Sequence, residues 1–358
     1  MEANASRYRG KAPDEVKWTD AQRQKRAVAE YLAGPTTNFA PIWVMQALGY
    51  AEEEGLDLSI ELAGTPKDAA EGVTSGKGDT TFINVVFTLL ARDRGVPLRP
   101  YYAFVRTQNR AFSVPVESDI RALADLRGRV IGLHYDDPEL FAFARAALIG
   151  AGVDPQRDVT FKTLPGTPLD APRMAAAIRD GAVHAIWQLD VLAGLMEAEG
   201  VPLRLLPSPS IDRLTPSSCL NALDDKLQSR PKAYAALGRA VAKATLFCLT
   251  APERAIELVW RTYPDAAPPL GQDKDRVFRG ELAALRARLA GHRIETAPLP
   301  KWGAIIRPEM AAWQEFLLGT GAISERRDPS AYYSDTFVED FNAFDPASVI
   351  ARASASVG

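Results

Sequence analysis

The sequence predicts an α/β protein of two lobes, each a mainly parallel β-sheet flanked by helices. Three observations carry this prediction. Short apolar, strand-like segments alternate with helix-like segments over residues 26–206, and helices are the usual connections between parallel strands. The same strand–helix rhythm runs twice along the chain. Two stretches rich in Pro, Ser and Asp, at residues 112–119 and 207–218, divide the two runs.

The first run begins with the segment RAVAEYLAG, a predicted strand starting at Arg26. A helix over residues 39–48 follows, and Gly49 ends it. LDLSIELA alternates apolar and polar residues, which predicts a strand with one buried face. In TPKDAAEGVTSG, Thr65 and Pro66 are typical of a helix N-cap and first helical position. The run is completed by the strand DTTFINV, the helix VVFTLLARDRG and the strand LRPYYAFV.

The second run repeats this order. Its helix DDPELFAFARAALIGAG begins at Asp136 or Asp137 as N-cap, with Pro138 just inside. The other predicted elements are, in order, RGRVIGL, DVTFKTL, DAPRMAAAIRDG, VHAIWQL, DVLAGLMEAEG and VPLRLLP. The third strands of both runs enter alike, as TSGKGDTTFIN and IRDGAVHAIWQ. We infer one layer design used twice.

These boundaries predict the domain organisation. Residues 27–115 and 217–358 form lobe 1, residues 116–216 form lobe 2, and residues 1–26 are a polar leader. The chain from Cys219 onward reads as mainly helical and is expected to return over lobe 1. The Pro- and Ser-rich stretches at 112–119 and 207–218 are the two predicted crossings of one hinge.

Composition excludes several function classes. The chain has 358 residues, 47% hydrophobic and 24% charged, with net charge −3, an ordinary profile for a globular protein. No basic tract or nucleic-acid-binding motif occurs, so no nucleic acid partner is expected. No apolar run reaches the length of about 18 residues that a membrane span needs. Two cysteines and three histidines without HExxH spacing give no metal motif, and we expect no cofactor.

Four motifs, in this order, resemble a known family: NFAPIWVMQALGYAEEEGLDLSIE, SGKGDTTFINV, ALADLRGRVIGL and AAAIRDGAVHAIWQLD. The chain is similar to the type II periplasmic solute-binding proteins of ABC importers, in the branch for nitrate, sulfonate, taurine and thiamine pyrimidines. The resemblance covers residues 27–250. It implies the type II fold, with a hinge that closes on a small organic solute and presents it to a permease.

The resemblance also implies a compartment. The polar start MEANASRYRGKAPDEVKW shows no secretory signal, so a periplasmic location requires a leader that this sequence does not contain. A native gene without a leader would indicate the cytoplasm. We expect a monomer that partners with the permease and its solute.

Two classes of enzyme resemble the same fold, which keeps a cytoplasmic enzyme open as the alternative function. A pyrimidine synthase carries a Lys and a His where this chain has Ile83 and Phe87, and a Cys-rich loop where it has only Cys219. An aromatic sulfinate desulfinase carries a Cys in the first turn, which here reads PTTN. Both catalytic sets are missing, so we predict no enzyme. If chemistry occurs, Cys219 is the best candidate nucleophile; a sensor reporting its solute to a regulator is a third option.

Polar residues of lobe 1 are expected at the carboxyl ends of its strands, where open α/β sheets bind ligands next to helix N-termini. Hydroxyl and amide groups there would contact the solute, although Thr and Asn are equally typical helix caps and serines are typical of a linker. The predicted ligand-binding residues of this lobe are Thr36, Thr37, Asn38, Phe39, Asn84, Ser217 and Ser218.

In lobe 2 the corresponding positions are LHYDD and AIWQLD. Tyr135 and Trp187 suit a flat ligand, and His134 and Gln188 are further predicted contacts. Asp190 would pair with an amino or cationic group. A buried carboxylate beside a buried anion costs several kcal/mol, so Asp190 argues against a purely anionic ligand. The alternatives are a core Trp and a helix N-cap Asp.

Two arginines precede lobe 2 in VRTQNR. Arg106 and Arg110 are the nearest cations for an acidic solute, but such a charged loop is more typical of a solvated face.

Overall fold

The computed structural model describes residues 24–30, 39–63, 66–133, 138–164, 170–268, 270–295 and 297–355. The strands of these residues are β1 (Gln24–Glu30), β2 (Leu56–Leu62), β3 (Thr80–Asn84), β4 (Leu98–Val105), β5 (Arg110–Pro115), β6 (Val130–Leu133), β7 (Thr160–Thr163), β8 (Ala185–Leu189), β9 (Leu203–Leu206) and β10 (Ser218–Leu223).

The helices of the same residues follow the strands in the predicted rhythm as far as β9 and dominate the chain after β10. They are α1 (Ala40–Ala47), α2 (Tyr50–Glu53), α3 (Pro66–Thr74), α4 (Val85–Asp93), α5 (Pro138–Gly150), α6 (Ala171–Arg179), α7 (Leu192–Ala198), α8 (Pro209–Asp212), α9 (Asp224–Ser229), α10 (Pro231–Thr250), α11 (Pro252–Thr262), α12 (Lys274–Ala290), α13 (Arg307–Gly319), α14 (Val338–Phe341) and α15 (Pro346–Ser354).

The chain divides into two compact units. Unit 1 comprises Met1–Arg106, Pro216–Ala267 and His292–Gly358; unit 2 comprises Thr107–Thr215 and Pro268–Gly291. The chain therefore passes between the units four times. Of the two passages predicted from the sequence, only the one at 207–218 contains an observed passage, and the pair that carries α12 into unit 2 was missed.

Unit 1 contains a five-stranded sheet in the order β2-β1-β3-β10-β4. β1 pairs in parallel with β2 and β3, whereas β10 is antiparallel to both β3 and β4. The prediction of helical structure from Cys219 onward is therefore wrong for its first residues. β10 is buried along nearly its whole length, so it lacks the apolar–polar alternation that marks a half-buried strand.

Unit 2 contains a second five-stranded sheet in the order β7-β6-β8-β5-β9. β6 is parallel to β7 and β8, while β5 is antiparallel to β8 and β9. The predicted crossing at 112–119 is corrected by this pairing, because β5 is an internal strand of the sheet. The chain enters unit 2 earlier, after Arg106.

The predicted lobe boundaries differ from this division in two places. Residues 107–115 were placed in lobe 1, but their strand β5 forms its hydrogen bonds inside the sheet of unit 2. The C-terminal segment was placed wholly in lobe 1, but residues 268–291 belong to unit 2, because α12 packs along α7.

Two glycines explain why α12 packs so closely on α7. A Cβ atom added at Gly194 would lie 2.4 Å from the backbone nitrogen of Ala284, and one added at Gly280 would lie 2.7 Å from the Cβ of Ala198. Real Cβ atoms do not approach other atoms this closely, so only glycine fits at either position. The two helices therefore meet almost backbone to backbone.

Apolar residues fill the space beside each sheet. In unit 2, Ile186 of β8 packs with Met174 of α6 and Leu192 of α7 in one buried cluster. In unit 1, α10 packs against α1, α14 and α15, and Trp43 of α1 meets the ring of Tyr263 edge-on at 5.2 Å. Across the described ranges, no helix combines the length and apolar character needed to span a bilayer.

Candidate functional site

The strand ends of unit 2 bring three predicted residues into one small region. β8 ends beside the start of β5, with Leu189 opposite Arg110 and Trp187 opposite Phe112. The indole of Trp187 lies 4.7 Å from the ring of Phe112. Just beyond the strand, the backbone N–H of Asp190 donates to the carbonyl of Asn109 at 3.0 Å. Trp187 and Gln188 therefore lie in the last residues of β8, and Asp190 follows the strand directly.

Two buried hydrogen-bond donors at this strand end have no acceptor among the described residues. They are the indole Nε1 of Trp187, which is 4% exposed, and the amide Nε2 of Gln188, which is 2% exposed. The amide oxygen of Gln188 is already used, since it accepts from the N–H of Leu189 at 2.9 Å. Buried polar groups almost always have a partner, so these donors indicate an acceptor supplied from outside the described chain.

Gln108, two residues before β5, repeats this arrangement. Its amide oxygen accepts from the N–H groups of Asn109 and Arg110 at 3.0 and 3.3 Å. Its Nε2 finds no acceptor in the part of the chain that the structure describes. The lead into β5 and the end of β8 thus both present N–H groups.

Asp190 forms a buried ion pair with Arg288 of α12. The Oδ1 of Asp190 lies 3.0 Å from Nη2 of Arg288, and the two side chains are 15% and 2% exposed. Oδ1 also accepts from the N–H of Val191 at 2.8 Å. Burial raises the pKa of Asp190 and lowers the pKa of Arg288, and each charge partly offsets the effect on the other. A protein cation therefore occupies the role that the sequence gave to a cationic ligand.

In unit 1 the predicted residues Asn84, Ser217 and Ser218 also come together, at the shared end of β3, β4 and β10. Ser218 lies opposite both Asn84 and Val105. The Oδ1 of Asn84 accepts from the N–H of Val86 at 3.1 Å and caps α4. The backbone of Ser217 donates to the carbonyl of Val105 and accepts from the N–H of Val85, both at 2.9 Å. The side chain of Asn84 and the backbone of Ser217 therefore form hydrogen bonds within the fold.

Aromatic rings lie near this end of unit 1. Phe39, which directly precedes α1, is parallel to Phe104 of β4 with centroids 6.3 Å apart. His292 is 2% exposed and meets Phe104 edge-on at 4.4 Å. Phe39 was a predicted ligand residue, and His292 was not among those predictions.

Thr36, Thr37 and Asn38 precede Phe39, and His134 and Tyr135 follow β6; all five lie outside the described residues. β6 ends at Leu133, opposite Trp187.

The expectation of a solvated face for Arg106 is wrong. Arg106 is buried, donates to the carbonyl of Ala304 and pairs with Glu309 at 3.1 Å. Sequence reasoning missed this pairing, and that of Arg288, because both join residues far apart in the chain. No local pattern identifies either partner.

The candidate nucleophile Cys219 lies inside β10 and is fully buried. Burial raises the pKa of its thiol well above the ordinary value, as it does for Cys248. The thiolate is the reactive form of cysteine, so neither thiol is poised for attack. The described residues contain no group of three His, Cys, Asp or Glu side chains that could hold a metal ion.

The family model described as NMT1/THI5 like matches residues 36–255, which is more than half of the chain. The chain belongs to the NMT1/THI5-like family. The match includes β10 and most of unit 2 but stops before α12, so Arg288 and His292 lie beyond it.

Two curated relatives of this chain differ in the activity that their names give. The riboflavin-binding protein RibY of Chloroflexus aurantiacus is 25% identical over 65% of this chain and 65% of its own length, so the match spans slightly less than two thirds of that relative. The 4-amino-5-hydroxymethyl-2-methylpyrimidine phosphate synthase THI5 of Saccharomyces cerevisiae is 24% identical over 67% of this chain and 70% of its own length. One relative is named as a binding protein and the other as an enzyme.

Solved structures confirm the predicted fold class. The periplasmic aliphatic sulphonate-binding protein SsuA of Escherichia coli superposes with a TM-score of 0.62 at 15% identity, covering 87% of this chain and 92% of its own. The desulfurization enzyme DSZB, with biphenyl-2-sulfinic acid bound, gives 0.59 at 19% identity, covering 88% and 99%. At these identities the likeness shows the periplasmic-binding-protein fold alone.

Proposed function

We propose that this protein is a solute-binding component of an ABC-type importer, which captures a small organic molecule and delivers it to a permease. The solute is of the sulfonate, pyrimidine or aromatic-acid type, and the strand-end residues Trp187 and Gln188 of unit 2 contact it. Hinge closure around the solute, a periplasmic location and a monomeric state belong to the same proposal. The family and the fold support ligand binding in general.

One observation carries the proposal. The Nε1 of Trp187 and the Nε2 of Gln188 are buried donors at a strand end, and no described residue accepts from them. A bound solute with acceptor atoms would satisfy both. Leaving buried donors unpaired costs about 1–3 kcal/mol each, so a ligand that pairs them is bound more tightly by a comparable amount.

The site also favours binding over chemistry. Ile83 and Phe87, where the pyrimidine synthases resembled by the sequence carry Lys and His, are both buried apolar residues. Cys219 has a raised pKa and no exposure. Trp187 and Gln188 hold and orient a ligand but neither attacks nor transfers a proton readily.

Calorimetry on the full chain tests the proposal with riboflavin, MOPS, hydroxymethylpyrimidine and aromatic acids as the solute panel. We expect one solute class to bind, and Trp187→Phe to weaken its binding about tenfold by removing one donor while keeping a ring. Cys219→Ala serves as the matched control and should bind as tightly as the wild type. A panel without a single binder would overturn the proposal.

The similarity to THI5 over 257 residues favours an enzyme as the second candidate function. Turnover of a panel solute that disappears in Cys219→Ala would support it. If the wild type and Cys219→Ala both bind a solute without turnover, the enzyme is contradicted and the solute-binding function remains.

A further inference from the structure

Gln108 and Gln188 use their side-chain amides in the same way. The Oε1 of Gln108 accepts from the backbone N–H groups of Asn109 and Arg110 at 3.0 and 3.3 Å. The Oε1 of Gln188 accepts from the backbone N–H of Leu189 at 2.9 Å. Only an oxygen can pair with these N–H groups, so the contacts fix which way each amide faces.

Both amides belong to one stretch of the pairing between β5 and β8. Ala111 of β5 is opposite Gln188, and further along the same pair the N–H of Asp190 donates to the carbonyl of Asn109 at 3.0 Å. Gln108 directly precedes Asn109 in the chain. Hydrogen bonds between the two strands therefore hold the backbone next to both amides.

The nitrogen atoms of the two amides are left over from these contacts. The Nε2 atoms of Gln108 and Gln188 are buried, and neither has an acceptor among the described residues. Pairing the backbone N–H groups requires only an oxygen, for which a glutamate would serve as well. An Nε2 atom is itself a donor, so it needs a separate acceptor, and buried polar groups almost always have one.

We propose that Gln108 is a specificity-determining residue of the solute site, which requires a hydrogen-bond acceptor on the solute at its Nε2 and rejects an amino group there. This inference rests on the proposed function and adds Gln108 to its contacts, Trp187 and Gln188. Gln108 was not among the ligand residues predicted from the sequence. An amino group at this place would leave two donors facing each other, and a site with buried donors discriminates strongly against such a solute.

Gln108→Glu is the deciding variant. It keeps an oxygen for the N–H groups of Asn109 and Arg110 and replaces only the donor nitrogen by an acceptor. Two backbone N–H groups stabilise a carboxylate, so denaturant unfolding should give the variant a midpoint close to that of the wild type. Gln156→Glu, at an exposed position of unit 2, is the matched control and should bind every probe as the wild type does.

Calorimetry on the full chain compares uracil with cytosine, in which an amino group replaces one carbonyl oxygen. The wild type should bind uracil at least about tenfold more tightly than cytosine. Gln108→Glu should lose this preference and bind cytosine at least as tightly as uracil, because its carboxylate accepts from the amino group.

MOPS distinguishes an acid oxygen from a neutral carbonyl as the acceptor. If the wild type binds MOPS and neither base, the acceptor is an acid oxygen. Gln108→Met, which removes the donor without adding a charge, should then weaken the binding of MOPS about tenfold.

The side-chain amide signal of Gln108 gives a second measurement that needs no folded variant except for assignment. In a wild-type chain carrying isotope-labelled glutamine, the NH₂ signals that are missing in Gln108→Met belong to Gln108. They should shift, and their protons should exchange more slowly, when a bound probe accepts from Nε2. If a probe binds and these signals do not change, the proposal is overturned.

Affinity and unfolding together decide the inference. If Gln108→Glu binds each probe as the wild type does, Gln108 only pairs with the backbone and the proposal is overturned, while the proposed function survives. A wild type that binds cytosine as tightly as uracil, or more tightly, also overturns it. A chain that binds neither these probes nor the solute panel overturns both proposals.

Discussion

The strand ends of the two units have similar topology, but the polar groups at these ends differ in their hydrogen bonds. In unit 1, Asn84 caps a helix and the backbone of Ser217 joins neighbouring strands. In unit 2, Trp187 and Gln188 keep buried donors without acceptors in the described chain. One strand end thus uses these polar groups within the fold, and the other leaves two buried donors for which we propose a ligand as the acceptor.

The buried ion pairs show the same contrast. Arg106 and Glu309 of unit 1 are 6% and 7% exposed, and both make additional bonds to the backbone, at Ala304 and Ile306. In the pair of Asp190 and Arg288 the side chains are 15% and 2% exposed, and the pair lies beside the buried donors of Trp187 and Gln188. Burial alone therefore does not distinguish the pair of unit 1 from the pair that lies beside the proposed site of unit 2.

The largest expected effect compares these two pairs. Arg106→Met and Arg288→Met each leave a buried carboxylate without its cation, which should lower the free energy of unfolding by about 3–5 kcal/mol. Denaturant unfolding measures this loss. Solute affinity, measured under conditions where both variants remain folded, should change only for Arg288→Met. If Arg106→Met lost as much solute affinity as Arg288→Met, the two ion pairs would not differ in their effect on binding.

A buried carboxyl in unit 1 gives the next largest effect. Burial, with smaller contributions from Asp57 and Glu53, raises the pKa of Glu52 from 4.5 to about 7. Between these values the folded chain keeps a proton that the unfolded chain has lost, so stability falls as pH rises through this window. The loss should reach about 2–3 kcal/mol above pH 7.

Unfolding of the Glu52→Gln variant checks this pH dependence. The variant should lose less stability than the wild type between about pH 5 and pH 8, the range over which the carboxyl of Glu52 loses its proton in the folded chain. Glu61→Gln, at an exposed position of the same sheet, should follow the wild type. Solute affinity should not change in either variant, because Glu52 lies in α2, which leads into the amino end of β2. If the stability of Glu52→Gln fell with rising pH as steeply as that of the wild type, Glu52 would not be the source of the pH dependence.

Asn84→Ala and Trp187→Phe form a smaller and more direct contrast. Losing the cap in Asn84→Ala should cost about 1 kcal/mol of stability with little change in affinity. Trp187→Phe should cost solute affinity by about tenfold, with a stability change of about 1 kcal/mol or less. Thermal unfolding and calorimetry on both variants would show whether fold and ligand effects separate by unit. Reversed outcomes would mean that unit 1 holds the decisive polar contacts.

The smallest expected effect is at Ser217. Its hydroxyl lies 3.4 Å from the carbonyl of Val105, near the limit for a hydrogen bond. Ser217→Ala should lower stability by about 0.5–1 kcal/mol and leave affinity unchanged. A marked loss of affinity would instead support the prediction from the sequence that Ser217 contacts the ligand.

The sequence predicted the elements whose signals are local. The alternation of Leu56, Leu58 and Ile60 located β2, and the apolar segment VHAIWQL located β8 with Trp187 inside it. The sequence did not predict β10 because a strand buried on both faces shows no alternation of apolar and polar residues. The sequence did not predict β5 because Ser113 and Pro115 are typical of turns. Only its pairing with β8 and β9 shows that it is a strand.

The pairing of Asp190 with Arg288 was beyond prediction for a different reason. Arg288 lies on a helix rich in charged residues, and most such residues face solvent. Only the return of residues 268–291 to unit 2 brings this arginine to the β8 turn. Long-range chain paths of this kind leave no trace in local composition.

The close approach of α7 and α12 has a practical consequence for anyone shortening this chain. Cutting after residue 255, where the family match ends, would strip α12 from unit 2 and leave the glycine-bearing side of α7 facing water. Asp190 would lose its cation in the same step. Such a fragment should aggregate on expression, and the C-terminal third of the chain should be kept in any biosensor or crystallisation trial.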